Sequence, residues 1–205
     1  MRSILTAVLA LSVTVLAWAQ VPESRTPTLP HVIVETSLGT IELEIDTVRA
    51  PHTAANFLKY VDAKLYDGGR FHRTVKPDNQ PQNEVKIEVV QAGTNRERAA
   101  DLFPPIPLER TSVTTLSHVD GAISMARSGP DTGRNEFFIC IGAQPELDFG
   151  GKRNPDGQGF AVFGRVVRGM DVVRRIQAAP ANGQTLTPLV SIISVRRPSG
   201  AGARW

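Results

Sequence analysis

Cysteine is nearly absent. Cys140 is the only one in 205 residues, so no intrachain disulfide can form, even in an oxidising compartment. It lies in the apolar run "FFIC" and reads as a small buried hydrophobe, since none of the four histidines is close in sequence to activate a thiol. Those histidines, His31, His52, His72 and His118, show no metal-ligand spacing, and no metal or other cofactor is expected. Charge of one sign is also scarce: 23 Lys and Arg against 20 Asp and Glu leave +3, with the basic residues scattered along the chain. Nucleic-acid binding needs a basic patch or stripe, so nucleic acid is excluded as a partner. No glycine fingerprint for phosphate follows a strand, "GAISMA" contains no nucleophile elbow, and no Ser-His-Asp set has meaningful spacing. Conventional hydrolase and nucleotide chemistry drops out.

Long hydrophobic runs are missing too, except at the N-terminus. There Arg2 precedes an almost unbroken apolar stretch from Ile4 to Leu16, and "AWA" ends at Ala19. A short basic region, an apolar core and an A-x-A site describe a cleaved export signal over residues 1–19. The run is short for a hydrocarbon core of ~30 Å, which argues against a retained anchor. No cysteine follows to carry a lipid, so no stable membrane insertion is expected after cleavage. The mature chain would begin near Gln20 and work outside the cytoplasm. A periplasm is favoured, with secretion into the medium as the alternative.

What is present reads as one domain with a sizeable core. Residues 20–30 form a polar, Pro-rich leader, and residues 198–205 a tail of the kind that stays disordered. "HVIVETSLGTIELEI" predicts two strands about the turn "TSLG", with Ile41, Leu43 and Ile45 alternating against Glu42 and Glu44. "APHTAANFLKYVDAKLY" predicts a helix: Pro51 suits its first turn, and Phe57, Leu58, Val61 and Leu65 form one stripe. Short apolar segments follow at 86–91, 121–126, 136–141, 160–167 and 188–195. A second helix at about 169–178 presents Met170, Val173 and Ile176. Many short strands, two helices and no repeat predict an all-β barrel or sandwich whose open ends the helices close. Within it, "YDGGRFHRTV" places Arg73 between the strand residues Phe71 and Val75. A charge partly shielded from water needs a partner or a function.

Five blocks then fall in order: "APHTAANFLKYV", "YDGGRFHRTV", "VVQAG", "GAISMARSGPDTGRNEFFIC" and "FAVFGRVVRGMDVV". Together they resemble the cyclophilin family of peptidyl-prolyl cis-trans isomerases over residues 31–197. The resemblance implies a closed antiparallel β-barrel capped by two α-helices. It also implies rotation about X–Pro bonds in unfolded or extended proline-containing polypeptides, by a monomer without a cofactor. Arg73 matches the family's catalytic arginine. Phe138 and Leu147 match walls of its proline pocket, Gln91 its backbone-bonding glutamine, and Ala126 with Arg127 its backbone-contacting pair. The alternative on the same barrel is a chaperone that binds proline peptides without catalysis.

Several matched positions depart from the family pattern. Glu88 and Val89 stand for a Phe-Met pair, Glu136 for a glutamine, Arg127 for an asparagine, Glu146 for a tryptophan and Phe160 for a histidine. Loss of the indole implies weak binding of cyclosporin. Glu88 or Glu136 could pair with Arg73, or both could simply face solvent. Finally, "KPDNQPQN" reads as a loop inserted beyond the usual family spacing, "PELDFGGKRNPDGQGF" is another long loop, and both are expected beside the groove.

Overall fold

The computed structural model describes residues 28–198. The proposed export signal, most of the leader and residues 199–205 of the tail lie outside them. In chain order the elements are β1 (His31–Thr36), β2 (Gly39–Ile45), α1 (Pro51–Asp62), β3 (Arg70–Val75), β4 (Val89–Gly93), α2 (Thr111–Thr114) and β5 (Ala122–Met125). There follow β6 (Phe137–Cys140), β7 (Ala161–Arg168), α3 (Met170–Ala178), β8 (Ala181–Asn182) and β9 (Thr185–Arg196). Neighbouring strands run β1-β2-β7-β5-β6-β4-β3-β9, and β9 returns to pair with β1. Every pairing is antiparallel. Eight strands therefore close into a barrel, and closure removes the exposed edges that invite aggregation. The two-residue β8 hangs on β9 as the other arm of a hairpin.

Alternation sets the inside. Val32 faces Leu43 and Val34 faces Ile41 across the β1–β2 ladder, all fully or almost fully buried. Glu42 and Glu44 point outward and share His31. Each fully buried aliphatic side chain of this kind contributes about 1.5–3 kcal/mol. Phe57 of α1 meets the rings of Tyr66, Phe137 and Phe163 at 5.3, 5.5 and 5.1 Å, which locks the helix onto the barrel core. Val172, Val173 and Ile176 do the same for α3; Met170, part of the expected stripe, is only partly buried. The first turn of α1 has no side-chain cap of its own. Instead the Glu109 carboxylate accepts from the backbone N–H groups of His52 (3.1 Å) and Thr53 (2.7 Å). An anion there satisfies orphan donors and complements the helix dipole. The one-turn α2 adds a helix to the two expected from the sequence.

One irregularity positions the site. Phe71 pairs with Ala92, but the next pair on β3 and β4 is Arg73 with Gln91, so His72 is an extra residue. The register with β9 also breaks here, with Phe71 opposite Val190 and Arg73 opposite Thr185, so on that side the surplus residues belong to β9. Strict alternation would turn Arg73 to the inward face that Phe71 occupies. The bulge reverses that, as a two-against-one insertion must.

Candidate active site

Because of the bulge, Arg73 heads a transverse row that crosses four strands. Arg73 on β3 faces Gln91 on β4, Gln91 faces Phe138 on β6, and Phe138 faces Ser124 on β5. Directly opposed residues of antiparallel strands share a face. Here it is the outer face, since the adjoining Ala92 and Phe137 are buried in the core. A cavity of about 290 Å³ opens over this row. It is lined by Arg73, Val89, Gln91, Ala126, Arg127, Phe138, Leu147 and Phe160, which are eight of the nine residues singled out in the sequence. Asn83, Ile87, Arg153 and Asn154 complete the wall. Asn83, Arg153 and Asn154 come from the two long loops and Ile87 from the approach to β4, so both loops do flank the groove.

The ninth residue, Glu136, lies in an adjoining cleft with Ser128, Thr132, Arg134 and Asn135; Gln91, Ala126 and Arg127 border both spaces. Its carboxylate does not touch Arg73. It accepts from Gln91 Nε2 at 2.5 Å and lies 3.7 Å from His72 Nε2. Glu88 is further removed and accepts from Gln177 Nε2 at 2.8 Å. Neither added carboxylate neutralises the guanidinium directly.

Arg73 is instead held by neutral oxygens. Its Nη1 donates to Gln91 Oε1 at 3.0 Å, and its Nε and Nη2 donate to Gln184 Oε1 at 2.8 and 2.6 Å. Burial pushes the guanidinium's pKa down, and the Glu136 charge partly offsets this. The group stays protonated, as arginine does in proteins. The result is a fixed cation whose charge is not spent on a carboxylate. Gln91 has one amide group on Arg73 and the other on Glu136, so it orders the guanidinium as well as bordering the groove. Gln184 was not evident in the sequence. It sits at the tip of the β8–β9 hairpin, 111 residues away from its partner. The turn "ANG" marks the hairpin, but nothing local says which strand its tip meets.

The apolar end is equally fixed. Phe138 is 5% exposed and Leu147 1%. The Phe138 ring stacks on His118 with centroids 5.9 Å apart and 10° between planes, and meets Phe160 edge-on at 5.3 Å. His118 is pinned by Asp148 Oδ1 (2.7 Å, at Nδ1) and Ser124 Oγ (3.0 Å, at Nε2). So a Ser-His-Asp set does exist, although spacing gave no sign of it. Ser124 is fully buried, which denies its hydroxyl a substrate; the three residues brace the pocket floor. Arg127 borders the groove beside Ala126, but its side chain is only 2% exposed and turns to the loop behind Phe160. It donates to Gly159 O and to both Asp156 oxygens, with its guanidinium carbon 5.0 Å from the Phe160 ring centre. Those bonds hold the Asp156 carboxyl down to about 2. At the site of the missing indole, Glu146 accepts from the Lys152 backbone N–H.

Cys140, the last residue of β6, is fully buried, and burial pushes its thiol well above the usual range. It is no nucleophile. Among the described residues no cluster of three or more His, Cys, Asp or Glu is arranged to hold a metal.

Comparison with known proteins places this geometry. The family model for cyclophilin type peptidyl-prolyl cis-trans isomerases matches residues 31–197. Peptidyl-prolyl cis-trans isomerase A of Dickeya dadantii is 36% identical over 82% of this chain and 83% of its own length. The human peptidyl-prolyl cis-trans isomerase-like 3 is 32% identical over 77% of this chain and 88% of its own. A solved cyclophilin-type isomerase from Cryptosporidium parvum, crystallised in the presence of the dipeptide Ala-Pro, shares the fold. Its TM-score is 0.66 at 18% identity, over 83% of this chain and 99% of that one.

Proposed function

This chain belongs to the cyclophilin-type peptidyl-prolyl cis-trans isomerases, and on that premise we propose how its residues divide the work and where in the cell they do it. An X–Pro amide resists rotation with a barrier of roughly 18–20 kcal/mol, because the nitrogen lone pair is shared with the carbonyl. In the twisted state that lone pair is localised on nitrogen. A donor aimed at it binds the transition state better than either planar isomer, which is what catalysis requires. Arg73 is that donor. Its charge is permanent and its fork is held rigid by Gln184 and Gln91. Phe138 and Leu147 take the proline ring, with Phe160 and Val89 beside them, while Ala126 and Gln91 border the flanking backbone. No nucleophile takes part.

The observation that carries this reading is the transverse row. One bulge puts a half-buried, carboxylate-free guanidinium and an apolar floor into the same 290 Å³ cavity. The test is acceleration of X–Pro isomerisation in a short peptide and in an unfolded, proline-limited protein, by wild type and Arg73→Ala. Removing the donor should cost about 2–4 kcal/mol of barrier lowering, or roughly thirty- to a thousandfold in kcat/KM. Equal activity in a folded variant would sink the role of Arg73. Binding without acceleration by wild type would favour a holding module on this barrel.

The place of work is proposed as the periplasm, on proteins folding after export. The support is the N-terminal pattern of Arg2, the apolar run Ile4 to Leu16 and the "AWA" site. N-terminal sequencing of the protein from a fractionated Gram-negative host should find Gln20 first in the periplasmic fraction. An uncut chain in the cytosol would overturn the assignment. The protein is taken to act as a monomer, which light scattering would check.

A further inference from the structure

The cavity holds a second guanidinium. Arg153 lines it together with Arg73, yet the two reach it from unrelated segments. Arg153 comes from the loop between β6 and β7, and it grips the loop between β3 and β4. Its Nη1 donates to Gln80 Oε1 at 2.8 Å and to the Val85 carbonyl at 2.6 Å. Gln80 is itself 1% exposed and anchored, its Nε2 donating to the Lys76 and Ile87 carbonyls at 2.7 Å each. Arg153 is thus a built-in feature of the wall and not a loose surface arm.

It is also uncompensated. Its side-chain bonds go to neutral oxygens, and it joins no ion pair among the described residues. The charge that acts on it is Arg73's, which adds to burial in pushing its pKa down. Two like charges in one half-buried space repel, and of the two only Arg73 has a carboxylate, Glu136, acting on it. Arg73 has its Nε, Nη1 and Nη2 all engaged by protein. Arg153 uses only Nη1, so Nε and Nη2 remain for a planar, two-oxygen acceptor.

We propose that Arg153 is a specificity-determining residue that reads an Asp or Glu side chain flanking the proline, so that the enzyme favours acidic X–Pro segments. The ligand class follows from charge and geometry: a carboxylate on an extended peptide whose proline already occupies the Phe138 floor. The inference rests on the reading of this cavity as the isomerase site. The two long loops then have a purpose, since one supplies the guanidinium and the other aims it.

The test is kcat/KM on matched peptides carrying Glu, Gln or Lys one residue before or after the proline, each corrected for its uncatalysed rate. Wild type, Arg153→Gln and Arg153→Lys are compared, and the Glu/Gln ratio is taken within each protein so that any general loss of activity cancels. Wild type should favour Glu over Gln by roughly five- to twentyfold at one of the two positions, with Lys poorest. That ratio should fall to near one in Arg153→Gln, survive in part in Arg153→Lys, and shrink as salt rises. A wild-type ratio near one at both positions, or an unchanged ratio in Arg153→Gln, overturns the proposal while leaving the isomerase site standing. Failure of wild type to accelerate even the Gln peptides would overturn the reading of the cavity, and this proposal with it.

Discussion

Gln184→Ala removes no group that meets the substrate in the proposed mechanism, yet it should slow the enzyme. Gln184 Oε1 receives two of the three hydrogen bonds that hold Arg73, at 2.8 and 2.6 Å. The residue is itself latched, its Nε2 donating to Asn79 O at 3.1 Å and its backbone carbonyl accepting from Thr74 N at 2.9 Å. Hydrogen bonds to a charged group are each worth about 1.5–3 kcal/mol when shielded. The cavity is open, so water replaces part of what is lost. The guanidinium then samples several rotamers, and the cost should be about 1–3 kcal/mol in transition-state stabilisation, or about 5- to 150-fold in kcat/KM. Stability should fall by under about 1 kcal/mol, since the hairpin tip is only half-buried. The assay is peptide isomerisation beside a thermal melt, with Arg73→Ala and the double variant completing a cycle. If Gln184 acts through Arg73, Gln184→Ala changes the Arg73→Ala rate by less than about twofold. A wild-type rate in the single variant, or the same loss in both backgrounds, refutes the argument.

Cys140 should resist maleimide at pH 8 in the native protein and react only as fast as the chain unfolds, because its thiol is fully buried and hard to ionise. Fast native labelling would contradict the packing of β6. His72 should make stability pH-dependent. Burial lowers its folded pKa, opposed by the Glu136 carboxylate, so the unfolded chain binds a proton more readily. Stability is then full above the ordinary histidine value of ~6.5 and is lost as pH falls below it. His72→Gln should flatten the denaturation midpoint between about pH 7 and 5, and an unchanged slope would show that another group sets it. Cyclosporin should inhibit weakly, because Glu146 offers a carboxylate engaged with its own loop where an indole would line the groove; tight inhibition would refute this.

The parts readable in the sequence are those set by short-range periodicity or by residue identity. Ile41, Leu43 and Ile45 alternate because a strand with one buried face must repeat every two residues. The stripe of Phe57, Leu58 and Val61 repeats as a helix does, and all three are buried in α1. The blocks around Arg73, Gln91 and Phe138 were recognisable as a set, which was enough to name the groove residues. Their grouping in one cavity was not a local property. Arg73 reaches the outer face only because β3 takes an extra residue against β4, at the point where its register with β9 also breaks. That break depends on the partner strands, not on the "RFHRTV" segment alone.

The same limit explains the other differences. Gln184, the brace of Ser124, His118 and Asp148, and the clasp of Arg153 on Gln80 all join segments that only barrel closure makes neighbours. Arg127 borders the groove as its position implies, but only the fold shows that its side chain turns to the shielded partners Asp156 and Gly159. The amino-acid sequence alone determined which groups the molecule owns and which stretches become strands or helices. The tertiary structure decided which groups face one another, because register, bulges and loop contacts are settled between distant segments.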